Sequence, residues 1–463
     1  TEAAAQTQAA AQTQAAAQTV AQTEAAAQTV AQTEAAAQTE AALQALDSIV
    51  ASANADPDLS AKGVLQVSAE DALRCAVQAL DRWASSPRVL IAEMPELPIP
   101  RGLAGPGLLA ETVVRRWEDA MPLHRLEGIY SRDGVSLARS TLCGWHEQLA
   151  NLCQPLVEAM KSDALTQPVL CTDATGVLVQ AKKKCKHAHF WVLVAPQRHI
   201  LFMYSRRHNA NAVDTLLQGY QGYLVADAHA VYDHLYTEDD ASEELLIPDA
   251  EKRKIIEVAC WAHVRRYFFK SIKTDPVRAE HGIGLIGSLF RVERRISEKT
   301  MAERAEQRAS VSTPLVNDFF KWCRNEHPGT LEETPIYRAF RYATNHEKAL
   351  RRFLEDPRLP FDNNISERAL RREAVGRKNW LFVGSDDGGR TNATFVSLLA
   401  SAKLHRVEPV AYLRDLLFLL PAWPQSRLLD LAPVSWKETF QKAETQELLN
   451  ANHYRTALLA LGR

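Results

Sequence analysis

The sequence has no long hydrophobic run and no closely paired cysteines, and each absence excludes a class of protein. Because no stretch of about 18 apolar residues occurs, we expect no membrane-spanning helix. The first residues also lack the basic and then apolar layout of a secretory signal. The seven cysteines are scattered without a Cys-x-x-Cys pair, which does not fit a disulfide framework. These absences predict a protein of the cytoplasm with free thiols and no membrane partner.

The first 45 residues lack lysine and arginine and contain almost no large apolar side chains. They repeat Ala-Ala-Ala-Gln-Thr units, so residues 1–45 cannot bury a core and are predicted to be a low-complexity tail. The formal net charge of the chain is -2, and the four glutamates of the tail leave about +2 for the rest. That balance is too mild to indicate a nucleic-acid partner, so local clusters of charge must decide.

Helical patterns dominate the next part of the chain. Residues 46–86 are amphipathic at helical spacing, and residues 87–106 form a Pro-rich stretch that predicts an extended linker. Residues 107–165 contain three short helical patterns, which predict a small helical domain and thus an all-α N-terminal part. The predicted helices are Leu108–Ala120, Leu123–Arg132 and Ser136–Leu149.

The third of these helices begins with a glycine turn followed by polar side chains. In a helix-turn-helix unit such side chains would reach the phosphates or bases of DNA. Arg139, Ser140 and Thr141 are therefore candidate DNA contacts. A plain packing helix would have nearly the same sequence, so both interpretations stay open.

Short β-rich runs begin near residue 166 and indicate an α/β catalytic domain over residues 166–410. Three strands, a helix and a fourth strand form the front half of a ribonuclease-H-like fold. A mostly helical stretch at about 275–355 is predicted to be an insertion, and residues 411–463 a C-terminal helical tail. The predicted strands are Pro168–Gln180, Phe190–Ala195, Ile200–Ser205, Gly222–Ala228 and Ile255–Cys260, and the helices between and after them are Asn209–Gln218 and Trp261–Ile272.

Three acidic residues fall where this fold would bring carboxylates together. Asp173 lies inside the first β-rich run and Asp227 at the end of the fourth. Glu367 follows an Asp-Asn-Asn capping sequence, in the first turn of a predicted helix. Taken alone, Glu367 could simply pair with Arg371 on the same helix face, but the trio in this order predicts an active site. The nearest competing acids, in loop or capping contexts, are Asp233, Asp362 and Asp386.

Converging carboxylates repel one another, so such a site is stable chiefly when divalent cations neutralise it. Oxygen ligands favour Mg²⁺ or Mn²⁺ over zinc. Two such ions, roughly 3.5–4 Å apart, would activate an attacking water or 3′-hydroxyl and stabilise the leaving oxygen of a phosphodiester. The trio therefore predicts a phosphodiester-cleaving site with two magnesium or manganese ions as cofactors.

Several strings resemble transposases of the bacterial insertion-sequence family sixty-six, over about residues 95–440. The resemblance implies a DDE transposase whose catalytic and metal-binding residues are Asp173, Asp227 and Glu367. It also implies transposon ends and target DNA as partners, a homo-oligomer on DNA, accessory proteins of the same element and a location at the bacterial nucleoid. The strings are PIPRGLAGPGLLAE, STLCGW, GYLVADAHAVYDHLY, CWAHVRRYFF and FDNNISERALRREAVGRKNWLFVGSDDGG.

The chain departs from this family before the Pro-rich linker, where members usually carry a zinc-binding segment with paired Cys-x-x-Cys motifs. Only Cys75 is present there, so zinc binding is not expected in this segment. Cys260 and His263 have the spacing of half a zinc site, but no second half stands nearby. A Cys-x-x-His element after the second Asp recurs in several DDE transposase groups, which implies a supporting role for His263 at the active site. Core packing is the alternative.

Two basic clusters are candidate phosphate contacts. One lies in the turn between the first two strands, where a solvated charged turn is the alternative. The other surrounds the helix that carries Glu367. The candidates are Lys182, Lys183 and Lys184 in the first cluster, and Arg368, Arg371, Arg372, Arg377 and Lys378 in the second. The glycine-rich loop at 383–390 does not follow the phosphate-binding nucleotide pattern, so nucleotide hydrolysis is not predicted.

The function that follows is metal-dependent transposition: nicking at element ends, then joining of the freed 3′-hydroxyl to target DNA. Two alternatives stay open. One is an inactive, transposase-derived DNA-binding protein. The other is a structure-specific nuclease of the ribonuclease-H-like fold, which would cut DNA without joining it.

Overall fold

The described part of the chain is a mixed α/β structure. The computed structural model describes residues 97–100, 102, 104–236, 255–451 and 455. These residues belong to one compact unit, Met94–Arg463. The predicted tail at 1–45, the helical segment at 46–86, Cys75 and most of the linker lie outside the described residues.

Five strands of this part form one mixed sheet. They are β1 (Val169–Val179), β2 (Lys186–Ala195), β3 (His199–Ser205), β4 (Gly222–Ala226) and β5 (Ile255–Ala259). The sheet has the order β3-β2-β1-β4-β5. β2 is antiparallel to both of its neighbours, whereas β4 is parallel to both β1 and β5. The predicted α/β class is therefore confirmed.

The strand boundaries differ from the predicted ones at two places. β2 begins at Lys186 rather than at Phe190, because exposed polar residues still pair with the end of β1, as in the Lys186–Val179 pair. The sequence pattern missed this part because it has no apolar run. β4 ends at Ala226, two residues before the predicted end, because Ala228 adopts a φ of +54° that no strand accommodates.

Three helices precede the sheet: α1 (Pro106–Trp117), α2 (Leu123–Arg132) and α3 (Arg139–Ala164). The predicted end of the third helix at Leu149 is wrong, because α3 continues for four more turns. Leu149, Leu156 and Met160 carry the buried face through this extension. Pro155 lies on the exposed side of the helix, so water can bind the carbonyl that loses its amide partner.

The stretch predicted as a helical insertion is helical. α4 (Ala210–Leu216) lies between β3 and β4, and the other helices up to residue 351 are α5 (Trp261–Ser271), α6 (Pro276–Ile296), α7 (Met301–Gln307), α8 (Thr313–Glu326), α9 (Pro335–Asn345) and α10 (Glu347–Arg351). Arg308, which is 1% exposed, joins them. Its guanidinium binds Glu293 at 2.7 Å and donates to three backbone carbonyls. These carbonyls belong to Phe353, Asp356 and Leu359.

The last helices are α11 (Asn364–Trp380), α12 (Asp386–Leu404), α13 (Pro409–Leu419), α14 (Pro433–Gln441) and α15 (Ala443–Asn450). α12 covers the edge strand β3. The Ser397 and Ser401 hydroxyls accept hydrogen bonds from the backbone N–H groups of Phe202 and Ile200, at 2.7 and 3.0 Å. Two backbone N–H groups of this edge strand are therefore satisfied by side chains.

The helices on both sides of the sheet share one hydrophobic core. α1 packs against α13, and α3 packs against α12. The domain boundaries drawn from the sequence at 165/166 and 410/411 stay predictions.

Within the described residues, no helix is both long enough and apolar enough to cross a membrane. The six cysteines of this part are free thiols.

Candidate active site

The register of the parallel strands brings two of the predicted acids together. Cys171 of β1 pairs with Val225 of β4. Asp173 and Asp227 each stand two residues beyond this pair, so the two acids lie side by side where β4 ends. Asp173 is half-buried and its Oδ1 accepts the N–H of Ala174 at 2.7 Å. The Asp227 Oδ1 accepts a backbone N–H two residues further on, at 3.2 Å.

The third acid is positioned by the way in which α11 begins. Asn363, which is buried and precedes the helix, donates its side-chain N–H to the Thr172 carbonyl at 2.8 Å. The backbone N–H of Asn363 donates to the Cys260 Sγ at 3.1 Å. The helix start is therefore fixed to β1 one residue before Asp173, and also to the start of α5. Glu367 follows in the first turn of α11.

The three acids line one open cleft of about 650 Å³, the acid cleft. It therefore contains residues from β1, the end of β4, α5 and α11. The main polar side chains that line it beside the acids are His263, Arg266, Asn364, Arg368 and Arg371. The competing acids Asp233, Asp362 and Asp386 are not among its lining residues. Asp362 instead accepts two hydrogen bonds from Asn364, and Asp386 accepts the Tyr204 hydroxyl.

Arg266 is a residue that the sequence analysis missed. Its Nη2 lies 2.7 Å from the Glu367 Oε1, and its Nη1 lies 3.2 Å from the His263 Nε2. His263, predicted as a supporting residue, lies 3.7 Å from the same Glu367 oxygen. Arg266 is three residues after His263 on one helix, so the two share a face. That spacing was the signal that would have identified Arg266.

The electrostatics of the acid cleft depend first on burial and then on the nearness of like charges. The pKa of Asp173 is raised to about 7, first by burial and then by the charges of Asp227 and Glu367. The Ala174 N–H and Arg266 act in the opposite direction. Burial and the nearby Arg266 lower the pKa of His263, whose Nδ1 is buried without a partner among the described residues. The cleft therefore favours a neutral His263 and resists a third negative charge.

The donor set suits a hard divalent cation, since mutual repulsion of carboxylates is what such an ion relieves. Within the described ranges, no three His, Cys, Asp or Glu side chains already lie at metal-binding spacing. Glu367 is instead engaged by Arg266. Metal binding by all three acids therefore requires Glu367 to exchange the guanidinium for the ion. The Cys260 Sγ accepts the backbone N–H of Asn363, whereas the His263 ring lies near Glu367, so the two side chains of this Cys-x-x-His pair make separate contacts.

The structure places the predicted phosphate contacts in two different environments. Arg372 lies 2.5 Å from Glu118, and Arg377 donates to the Thr175 hydroxyl at 2.9 Å. These two arginines bind other parts of the protein, so their contact with DNA stays a prediction. The remaining candidates are exposed: Lys182, Lys183, Lys184, Arg368, Arg371 and Lys378.

The helix start proposed to contact DNA is also exposed. Arg139, Ser140 and Thr141 occupy the first turn of α3. The Arg139 Nε lies 2.9 Å from Glu127 of α2. Both interpretations of this helix, DNA contact and packing, therefore stay predictions.

Comparisons with known proteins identify the family of the chain. The chain is 31% identical over 351 residues to the uncharacterized protein y4qI of Sinorhizobium fredii (strain NBRC 101917 / NGR234). It is 27% identical over 361 residues to y4hP of the same strain. Each match covers 73% of this chain, but only 64% and 63% of the two relatives. Residues 397–434 match the IS66 C-terminal element. Residues 101–391, which include all three acids, match the model of the Transposase IS66 family, and the chain belongs to that family.

Proposed function

We propose that the chain is a DDE transposase that nicks DNA at element ends and joins the free 3′-hydroxyl to target DNA. The observation that carries this proposal is the acid cleft, where Asp173, Asp227 and Glu367 meet from three separate elements. The sheet order and the mixed strand directions support a ribonuclease-H-like core. Family membership supports a role in transposition.

Each residue of the acid cleft has a role that follows from its surroundings. Asp173 and Asp227 would hold the divalent cations as a fixed pair of ligands, and Glu367 would complete the set once its carboxylate is released from Arg266. Two magnesium or manganese ions would activate the attacking hydroxyl and stabilise the leaving oxygen. Neutral His263 can accept a proton from a group entering the cleft. Arg368 and Arg371 lie at the rim, where they would hold the phosphates that flank the scissile bond.

The test replaces each acid singly, as Asp173→Asn, Asp227→Asn and Glu367→Gln. The substrate is duplex DNA that carries the terminal repeats flanking the gene, with Mn²⁺ present. We expect nicking and joining to fall at least a hundredfold while DNA binding persists, since binding depends on basic residues. Asp233→Asn is the matched control, because Asp233 is exposed and lies outside the cleft lining.

Two outcomes would contradict the proposal. If one acid variant nicks DNA at the rate of the parent, that residue does not belong to the site. If the parent cuts the substrate but never joins its ends, the chain is instead a structure-specific nuclease of the same fold.

A further inference from the structure

One face of α11 forms a continuous exposed stripe that begins next to Glu367. Its members are separated by three, four and three residues, so they lie on one side of the helix. The opposite side carries the buried residues Leu370, Glu373 and Gly376. The exposed stripe consists of Arg368, Arg371, Val375 and Lys378.

The stripe leads to an exposed apolar tip, Leu381 and Phe382, directly after the helix. Leu381 is 64% exposed and Phe382 is 40% exposed. Leu381 also has a φ of +65°, which a residue with a branched side chain rarely adopts. Backbone strain of this kind persists only where the surroundings impose it.

The tip is held by β1. The Val383 N–H donates to the Leu178 carbonyl at 2.8 Å, and the Gln180 N–H donates to the Val383 carbonyl at 2.8 Å. On the other side, Asn379 donates to the Ala120 carbonyl at 3.2 Å. The chain on either side of Leu381 and Phe382 is therefore anchored, and Val383 pairs with Val179, shortly before the turn that carries Lys182, Lys183 and Lys184.

The helix and the strand both give the distance from the acids to the tip. Leu381 follows Glu367 by fourteen residues, which is roughly 21 Å along a helix. Val179, beside the tip, follows Asp173 by six residues, which is roughly 20 Å along a strand. A duplex rises about 3.4 Å per base pair, so the tip lies about six base pairs from the acid cleft.

From these contacts we propose that duplex DNA leaves the acid cleft along α11 and that the tip contacts an unstacked base about six base pairs away. The proposal rests on the proposed DNA substrate. Arg368, Arg371 and Lys378 match the charge of a phosphate backbone. A fixed Phe and Leu need an apolar partner, and the face of an unstacked base provides one between flanking phosphates.

The experiment places the fluorescent base 2-aminopurine at successive positions of the terminal-repeat duplex. The protein carries Asp173→Asn, so the DNA stays uncut. We expect the fluorescence to rise severalfold on binding at one position, about six base pairs from the cleavage site. In the Leu381→Ala, Phe382→Ala double variant this rise should disappear. Affinity should fall several-fold, but its salt dependence should stay unchanged, because no phosphate contact is lost.

Two controls separate the tip from general effects. Val277→Ala with Leu331→Ala removes two apolar side chains that are 79% and 78% exposed in the helical insertion, and the signal should persist. Lys378→Ala should keep the signal but lower the slope of log affinity against log salt by about one. If the DNA binds and is cut by the parent but no position responds, this inference is wrong while the proposed function stands. If the DNA does not bind at all, the proposed function itself fails.

Discussion

The helical insertion and the acid cleft differ in how their buried charged groups are paired. In the insertion, buried Arg308 has a carboxylate and three carbonyls for its guanidinium. In the cleft, burial and then the charges of Asp227 and Glu367 raise the pKa of Asp173, and the His263 Nδ1 has no partner among the described residues. All three guanidinium nitrogens of Arg308 are paired. Conflict among charges indicates a site that a ligand completes.

The largest effect on stability is expected at Arg308. Arg308→Met leaves Glu293 and three backbone carbonyls without their donor, which should lower the free energy of unfolding by about 3–5 kcal/mol. Denaturant unfolding measures the change. Arg324→Met is the matched control, because the Arg324–Glu347 pair is largely exposed and should contribute less than about 1 kcal/mol. Equal losses in the two variants would show that the insertion does not depend on its buried pair.

The next effect is pH-dependent and concerns Asp173. The pKa of Asp173 in the folded protein is raised to about 7, so as the pH rises the unfolded chain loses this proton before the folded protein does. The free energy of unfolding of the parent therefore falls as the pH rises from about 4 to 7. Asp173→Asn removes that loss. The free energy of unfolding of the variant should therefore exceed that of the parent by a margin that grows as the pH rises and reaches about 2 kcal/mol above pH 7. This is roughly half of what the full pKa shift would give, because the cleft is open to solvent. Thermal unfolding at pH 4 and pH 8 in EDTA gives the comparison. A difference that does not change with pH would contradict it.

A smaller loss of stability is expected at Asn363. Asn363→Ala removes the donor to the Thr172 carbonyl, which should cost about 1–2 kcal/mol. The nicking rate should fall more than the loss of folded protein explains, because Glu367 loses its fixed position relative to Asp173. DNA affinity should stay the same. Asn379→Ala, which removes a more exposed contact, is the control for the stability measurement. Loss of stability without loss of nicking would reduce Asn363 to a structural residue.

The smallest change in stability belongs to Arg266. The Arg266 side chain, which pairs with Glu367, is 47% exposed. Arg266→Gln should therefore change the free energy of unfolding by less than about 1 kcal/mol without metal. With the competing guanidinium gone, the thermal shift on adding Mn²⁺ should reach half its maximum at a lower concentration. An unchanged or higher concentration would show that Arg266 does not compete with the ion.

The sequence predicted the strands because they depend on local patterns, and the meeting of the acids because the order of these strands indicated a ribonuclease-H-like fold. β-rich runs define β1 and β4, and their parallel register then fixes Asp173 beside Asp227. The Asp-Asn-Asn sequence indicated the start of the helix that carries Glu367, although the Asn363 side chain binds the Thr172 carbonyl and does not cap the helix. The roles of all these residues stay predictions.

The sequence could not give contacts made between distant segments. Nothing local distinguishes Arg372, bound to Glu118, from exposed Arg371 next to it. The length of α3 was missed because Pro155 is tolerated only on a side of the helix that faces solvent. Burial decides both cases, and burial depends on the whole fold.

The two serines of α12 also limit how copies of the chain can assemble. Strand-to-strand joining of two sheets needs free backbone donors and acceptors along an edge. At the β3 edge, Ser397 and Ser401 occupy those groups, and at β5 the Arg352 guanidinium binds the Glu257 carbonyl. A strand of a second copy could pair at these positions only by displacing the two serine hydroxyls or the guanidinium.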